Sequence, residues 1–507
     1  MKHTWIELAL VFVLLAAIGG LATKYVNQSG WTLYYGDAEA HLDIARRVVD
    51  SRNPGYDQLG TVWLPLPHVL MLPFVGNDRL WRSGLAGAIP SSACFVCAGL
   101  FLYAALRRAA HSSAVAAASL GVLALNPNLL YLQATPMTET VVLAGLMALL
   151  YFTVLFRETQ SLAALIGAGI ASIAASLGRY EGWFVIPFVA VYFLIAGRKN
   201  RIAAALLFSA IAVLGPLYWL GHNWWIYSNP FEFFNGYYAP MSIYHRALAQ
   251  NMMPYPGDHD WRAAVRYYFM AVRLCVGWAT LGIGIAGLAY ALARRLFWPV
   301  LFAVLPPVFY VWSMDSGNAP IYVPTLWPFS YYNTRYALTA LPLLAIAAGS
   351  LVLLGSLRWR PWIAAGIVLA AIAPWLIRPQ PNELITWKES QVNSITRRAW
   401  TTAAASSLGG SYHSGQGVIT SFSDLSGILR AAGIPLREAL HDGDEPQWMA
   451  ATTRPDLFLH EEWAVAFSGD TVATAIQRAS FRTGPRYHLV QTVRVKGAPV
   501  IEIYKRD

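Results

Sequence analysis

The stretch "IELALVFVLLAAIGGLATKYVNQSGWTLYYGDAEAHLDIARR", residues 6–47, places two different kinds of helix side by side. Residues 6–26 are almost wholly apolar and reach the ~20 residues needed to cross ~30 Å of hydrocarbon. Two tyrosines and a glycine follow, and then Asp37, Glu39, His41 and Asp43 fall within seven positions. From Ala38, apolar residues recur at Leu42, Ala45 and Val49, with Ile44 and Val48 alongside. That is a helical stripe, set opposite Asp43, Arg46, Arg47 and Asp50. The pattern predicts a helix lying on a membrane surface, with Asp43 and Arg46 on its solvated face. Asp37 is then a natural N-cap, and Glu39 in the first turn favours the helix dipole.

The rest of the chain agrees with a membrane setting. Of 507 residues, 56% are apolar and 13% charged, against about 25% charged in soluble proteins. The formal charge of +10 does not point to nucleic acid, because the basic residues sit mostly in short loops between apolar runs. About eleven spans are expected, near 6–26, 84–106, 113–132, 137–156, 162–178, 183–197, 202–221, 267–292, 298–313, 336–355 and 361–377. With a cytoplasmic N-terminus, the loops at 107–108, 157–158, 198–201, 294–295 and 358–360 are short and basic, as the positive-inside rule asks. The longer loops, rich in Trp, Tyr, Pro, Asn and His, then lie outside. Cys94 and Cys97 have a metal-like spacing but lie within the apolar run "SSACFVCAGLFLY" (91–103), where small core residues are the better reading.

The expected fold is mainly α and polytopic, followed by a small α/β domain. The membrane domain covers 1–377, with an outer loop at 27–83, and the extracytoplasmic domain covers 378–507. In that tail "GVITSF", "DLFLHEE", "YHLVQTVRV" and "PVIEIYKRD" read as strands, and "SDLSGILRAAG" and "DTVATAIQRAS" as helices. "TVWLPLPHVLMLPFVG" (61–76) has too many prolines for an ordinary span and reads as a surface or re-entrant segment.

Three further motifs fall at the outer ends of spans. "TPMTE" (135–139) carries Glu139, "GRYEGW" (178–183) carries Arg179, Tyr180 and Glu181, and "YYNTRYALTALPLL" (331–344) carries Arg335 and Tyr336. Interfacial anchoring would explain a single Arg beside Tyr or Trp. Yet ionisable groups near membrane depth are costly and tend to be functional. Two arginines beside acids suit a lipid-linked phosphate. The aromatic loop "HNWWIYSNPFEFFNGYYAPMSIYHR" (222–246) reads chiefly as an interfacial belt; its His245 and Arg246 are weaker phosphate candidates. His41 and His68 are candidates for positioning substrate.

In their order and sidedness, "GDAEAHLDIAR", "WLPLPHVLMLP", "TPMTE", "RYEGW" and "NTRYALTALPLLAI" resemble the GT-C superfamily of polytopic glycosyltransferases. The resemblance covers about residues 6–350 and is nearest the branch with dolichyl-phosphate-mannose protein mannosyltransferases and aminoarabinose transferases. It implies inverting transfer of a sugar, a hexose such as mannose, from a polyprenyl-phosphate donor to a protein, lipid or polysaccharide acceptor, at the outer face of the cell membrane. It gives Asp37 the role of general base. Ala38 separates Asp37 from Glu39, where the protein mannosyltransferases have adjacent Asp and Glu. The Asp-x-Glu spacing leaves Mg²⁺ or Mn²⁺ open, and no metal ligand is assigned. The competing expectation is a transporter or lipid flippase, which would more often show inverted repeats and helices broken at the membrane midplane.

Overall fold

The structure, a computed structural model, describes residues 2–294, 296–377, 384–422, 424–480 and 484–507. Arg295, one of the expected cytoplasmic charges, and residues 378–383, where the tail was expected to begin, lie outside the described residues. The chain forms two compact units. The first comprises Met1–Ser29, Thr61–Pro67 and Ala88–Glu389; the second comprises Gly30–Gly60, His68–Gly87 and Ser390–Asp507.

Among the described residues of the first unit and its edges, seven apolar helices are long enough to cross a bilayer: Trp5–Gln28, Leu85–Ala109, Glu139–Thr159, Arg201–Tyr227, Phe297–Asp315, Thr334–Leu354 and Arg360–Ile377. Ser113–Ala124, Leu162–Gly178 and Glu181–Ala196 are apolar but shorter. The protein is a multi-pass membrane protein. One expected span, 267–292, is not straight: Trp261–Val276 and Trp278–Ala293 meet at 112°. Gly277 makes the break, with φ of +80°, where a β-carbon would also stand 2.9 Å from the Trp375 ring. The expected span 113–132 likewise ends early. Asn126 caps a new helix, Pro127–Leu132, accepting from the backbone N–H groups of Asn128 and Leu129. Gly182 lets two helices touch backbone to backbone, since a β-carbon there would lie 2.4 Å from the Ala175 carbonyl carbon. That contact fixes where Glu181 enters its helix.

The second unit holds a five-stranded sheet of order β2-β1-β3-β5-β4, with β1 Val418–Thr420, β2 Ala439–Leu440, β3 Trp463–Phe467, β4 Tyr487–Val493 and β5 Ile501–Arg506. β1 pairs parallel with β2 and β3, and β5 pairs antiparallel with β3 and β4. Helices Ser426–Ala432 and Thr471–Ser480 stand where the sequence places them. "DLFLHEE" is not a strand: Pro455 starts a short helix, Pro455–Phe458, and the strand follows at Trp463. β2 spans two residues, too few for an alternating pattern to reveal.

The outer loop belongs to this unit's core. Leu42, Ala45, Met71, Val75 and Trp81 pack with Trp400, Leu408, Val418, Ile428, Trp463 and Ile503. The middle of the apolar stripe of Gly36–Val49, at Leu42 and Ala45, is therefore covered by this unit's own core, while Val49 at its end is exposed. The polar face is covered too. Asp43 and Arg46 are buried, not solvated. Arg46 pairs with Asp50 (2.6 Å) and Asp78 (2.7 Å) and donates to the Val75 carbonyl. "TVWLPLPHVLMLPFVG" supplies only a ten-residue helix, Leu66–Val75, and the chain passes from one unit to the other within it, between Pro67 and His68.

Candidate active site

The loop helix starts at Gly36, with Tyr35 at the N-cap making no side-chain capping bond. Asp37 is thus one position inside the helix rather than its cap, and sits half-buried in the first turn. Helical geometry then sorts the polar cluster. Residues four apart share a face and residues two apart do not. Asp37 and His41 form one face; Glu39 and Asp43 form another. Asp37 and Glu39 therefore diverge, which removes the arrangement that an ion shared by the Asp-x-Glu pair would need. No cluster of three or more His, Cys, Asp or Glu side chains suited to a metal occurs among the described residues.

The Glu39 face is closed by arginines from the tail. Arg397 and Arg430 each make a short ion pair with one Glu39 oxygen. Arg397 also donates to the carbonyls of Leu33 (3.1 Å) and Tyr34 (2.8 Å), four and three positions before Asp37. Burial would raise the Glu39 pKa, but the Arg430 and Arg397 guanidiniums outweigh it and hold the carboxyl below its ordinary value. Glu39, expected to bind substrate, is instead only 6% exposed and doubly paired within its own unit.

Asp43 behaves oppositely. Its oxygens accept from Trp81 Nε1 (2.9 Å) and Ser426 Oγ (2.7 Å), with no direct ion pair among the described residues. Burial pushes its pKa up to about 6; Arg430 pulls against this and Glu39 adds to it. The folded unit thus binds this proton more tightly than the unfolded chain, whose value is near 3.8. Stability from this group is fully present below about pH 4 and is lost as pH rises to about 6. Asp43→Asn keeps hydrogen-bonding capacity without the charge. It is expected to equal or exceed the natural protein in thermal unfolding temperature above about pH 7, with the difference vanishing near pH 4. A variant less stable at every pH would contradict this.

On the other face, His41 Nδ1 lies 2.9 Å from His68 Nε2, so these two candidates meet. Asp424 was not singled out in the sequence; its side chain stands beside the first residue of helix Gly36–Val49, with Oδ1 4.0 Å from where a β-carbon on Gly36 would be.

The first unit gathers the other motifs. Arg335 donates to Glu139 Oε1 (3.0 Å) and to Glu389 Oε1 (3.1 Å). Arg179 donates to Glu181 Oε1 (3.0 Å), Thr138 Oγ1 (2.7 Å) and the Tyr310 hydroxyl (2.7 Å), and lies 3.5 Å from Glu139. Tyr310 in turn donates to Glu181 (3.0 Å). The ring of Tyr336 stacks on Tyr310 at 4.8 Å and takes both guanidiniums on its faces, Arg179 at 4.9 Å and Arg335 at 5.0 Å. Glu389, from the start of helix Ile385–Gly409, also accepts from the Thr334 backbone N–H at 2.8 Å. Glu389 and Tyr310 were not singled out in the sequence. Tyr310 looked like one more apolar position in "PPVFYVW", and Glu389 is separated from Arg335 by 54 positions.

Three carboxylates thus surround two arginines, so the pair does not offer spare positive charge. Glu139 Oε2 has no hydrogen-bond partner among the described residues, though it is buried. It lines a narrow cleft of about 40 Å³, room for a few waters, whose other walls include Leu143, Met147, Phe302 and Pro306. Tyr180 bonds the Val62 carbonyl (2.9 Å) and stacks on Phe233. Arg246 donates to the Tyr237 carbonyl (2.8 Å) and lies over its ring, and His245 packs beside Tyr244. The structure therefore joins Glu139, Arg179, Glu181, Arg335 and Tyr336 in one network and leaves His245 and Arg246 bonded within their own loop.

Over nearly its whole length the chain resembles solved structures of ArnT from Cupriavidus metallidurans. The form bound to undecaprenyl phosphate aligns with a TM-score of 0.54 at 14% identity, covering 95% of this chain and 97% of that one. The apo form aligns at 0.51 and 15%, with the same coverage. The fold is that of these ArnT structures. A family model, dolichyl-phosphate-mannose-protein mannosyltransferase, matches residues 80–221 of the chain. That segment holds Glu139, Arg179, Tyr180 and Glu181, and excludes Asp37 and Arg335. The Archaeoglobus fulgidus oligosaccharyltransferase is a weaker likeness, with a TM-score of 0.48 at 13% identity over 91% of this chain and 69% of that one. No curated protein matches the chain in sequence.

Proposed function

We propose that this protein is a membrane glycosyltransferase that moves a sugar, a hexose such as mannose, from a polyprenyl-phosphate donor to an acceptor hydroxyl. The observation that carries the reading is the alignment of 95% of the chain with an ArnT structure bound to undecaprenyl phosphate. Asp37 is the general base. Its carboxylate takes the proton as the acceptor oxygen attacks the anomeric carbon. The bond from that carbon to the phosphate oxygen breaks, its electrons pass to the phosphate, and the configuration inverts. A phosphate is a good leaving group, so no second carboxylate need flank the bond, unlike in a glycosidase.

The phosphate partners proposed are Arg335 and Arg179, which would accept it by releasing Glu139. Glu139 is the carboxylate that bridges both, at 3.0 and 3.5 Å, and it has one oxygen unpaired. Exchange of one anion for another preserves charge balance in a buried network. The site is assigned to the outer face of the cell membrane, with the N-terminus cytoplasmic and the unit containing the sheet outside. The acceptor is a protein, lipid or polysaccharide.

The test is turnover of a radiolabelled polyprenyl-phosphate hexose by the purified protein in lipid nanodiscs. One polyprenyl phosphate should be released for each sugar transferred. A lipid flippase is the second reading, favoured by the helix pair broken at Gly277. Movement of lipid across vesicles without any sugar transfer would replace the first reading with the second.

A further inference from the structure

His41 and His68 belong to no part of the proposed chemistry, yet both are buried and hydrogen-bonded to each other. Burial, His41 and Arg47 together hold the His68 imidazole neutral. One nitrogen of each ring meets the other, and His68 Nδ1 has no partner among the described residues. This asymmetry chooses the tautomer. If His41 Nδ1 carried the proton and donated it, His68 would carry its own proton on Nδ1, a buried donor with nowhere to go. An unmet buried donor bears the whole cost of its lost hydration. If His68 Nε2 donates instead, Nδ1 is left as a lone pair, and carbonyl-like acceptors bear this more easily than N–H donors do. In that form His41 Nδ1 accepts, and the His41 proton is on Nε2.

His41 is one helical turn beyond Asp37 on the same face, with β-carbons about 5–6 Å apart. We propose that His41 is a positioning residue for Asp37: buried His68 fixes it as an Nε2–H donor, and that donor orients the Asp37 carboxylate. The proposal rests on the reading of Asp37 as the base. A donor on one carboxylate oxygen turns the other toward the acceptor's proton, and fixes the side from which it is taken. The arrangement is a carboxylate, a histidine of set tautomer and a third group that sets it, the logic by which ring nitrogens are assigned roles elsewhere. His68 acts through His41 and has no contact with substrate in this scheme.

The test uses full-length protein in nanodiscs, with ¹⁵N-histidine and two measurements. In the natural protein, the His41 ring should give the ¹⁵N signature of an Nε2–H tautomer, assigned by its loss in His41→Asn. In His68→Leu the signature should become mixed. The kcat for sugar transfer should then fall about 10–100-fold, the range for loss of a group that orients an active-site ligand, with KM for the lipid donor unchanged. His68→Gln can still donate to His41 Nδ1 and should restore kcat to within about threefold. An Nδ1–H signature in the natural protein would overturn the proposal, whether or not the variants fold. So would natural kcat in His68→Leu. If Asp37→Asn proved active while the tautomer was as stated, the base assignment would fail and the orientation of His41 by His68 would stand.

Discussion

Asp37→Asn is expected to reduce sugar transfer by at least about 10³-fold while the protein folds and binds its lipid donor as before. General-base groups contribute about 10²–10⁴-fold, and Asn cannot take a proton. The substitution is nearly isosteric. Its structural cost is the loss of one acid from the first turn of helix Gly36–Val49, about 0.3–1 kcal/mol of interaction with the helix dipole. Glu39 remains in that turn, and its two arginines continue to hold the helix. The informative measurement is therefore kcat alongside donor affinity and thermal unfolding. Lost turnover with intact affinity is the expected result. Turnover within about tenfold of the natural protein would remove Asp37 as the base, and Asp424, beside the first residue of the same helix, would be the next group to vary.

The sequence singled out Asp37 as a candidate, but it misread most of Asp37's neighbours, and for identifiable physical reasons. Apolar runs and basic loops are local signals, so the membrane helices were legible within a few residues. The turn at Gly277 was not, because a glycine within an apolar run has many uses, and only Trp375, 98 positions away, shows why this one bends. Periodicity also showed that helix Gly36–Val49 has two faces, but it cannot show what covers them. Asp43 and Arg46 seemed solvated because charged residues usually are. Their partners, Trp81 and Ser426 for the one and Asp78 for the other, come from distant parts of the chain. Glu39 is the extreme case. Its arginines are 358 and 391 positions away, within helices whose patterns look like ordinary solvated surface. The network of Glu139, Arg179 and Arg335 was more legible, because charges at the ends of apolar spans stand out against their surroundings. The third carboxylate, Glu389, follows the last span in a polar helix, where nothing sets it apart.

Arg397→Ala is expected to cause the larger loss of stability. Glu39 and Arg397 are both buried, at 6% and 5% exposure, and their pairing offsets the cost of taking two charges out of water. Removing one partner strands the other, and breaking such a buried pair costs about 3–5 kcal/mol. Arg430 would still pair with Glu39, which places this loss toward the lower end. Arg397 also ties down the carbonyls of Leu33 and Tyr34. The segment leading into Asp37 should therefore loosen along with the ion pair. The expected result is a marked fall in the unfolding temperature of the second unit, together with faster backbone exchange at residues 33–37. Arg397→Lys restores the charge but lacks a fork that can reach a carboxylate and two carbonyls at once, so it should recover only part of the loss. Combining Arg397→Ala with Glu39→Gln provides the decisive comparison. If the loss comes from a stranded carboxylate, removing that charge should recover about 1–2 kcal/mol relative to Arg397→Ala alone. Strictly additive losses in the double variant would mean that the carbonyl contacts, and not the ion pair, fix the entrance to the helix that carries Asp37.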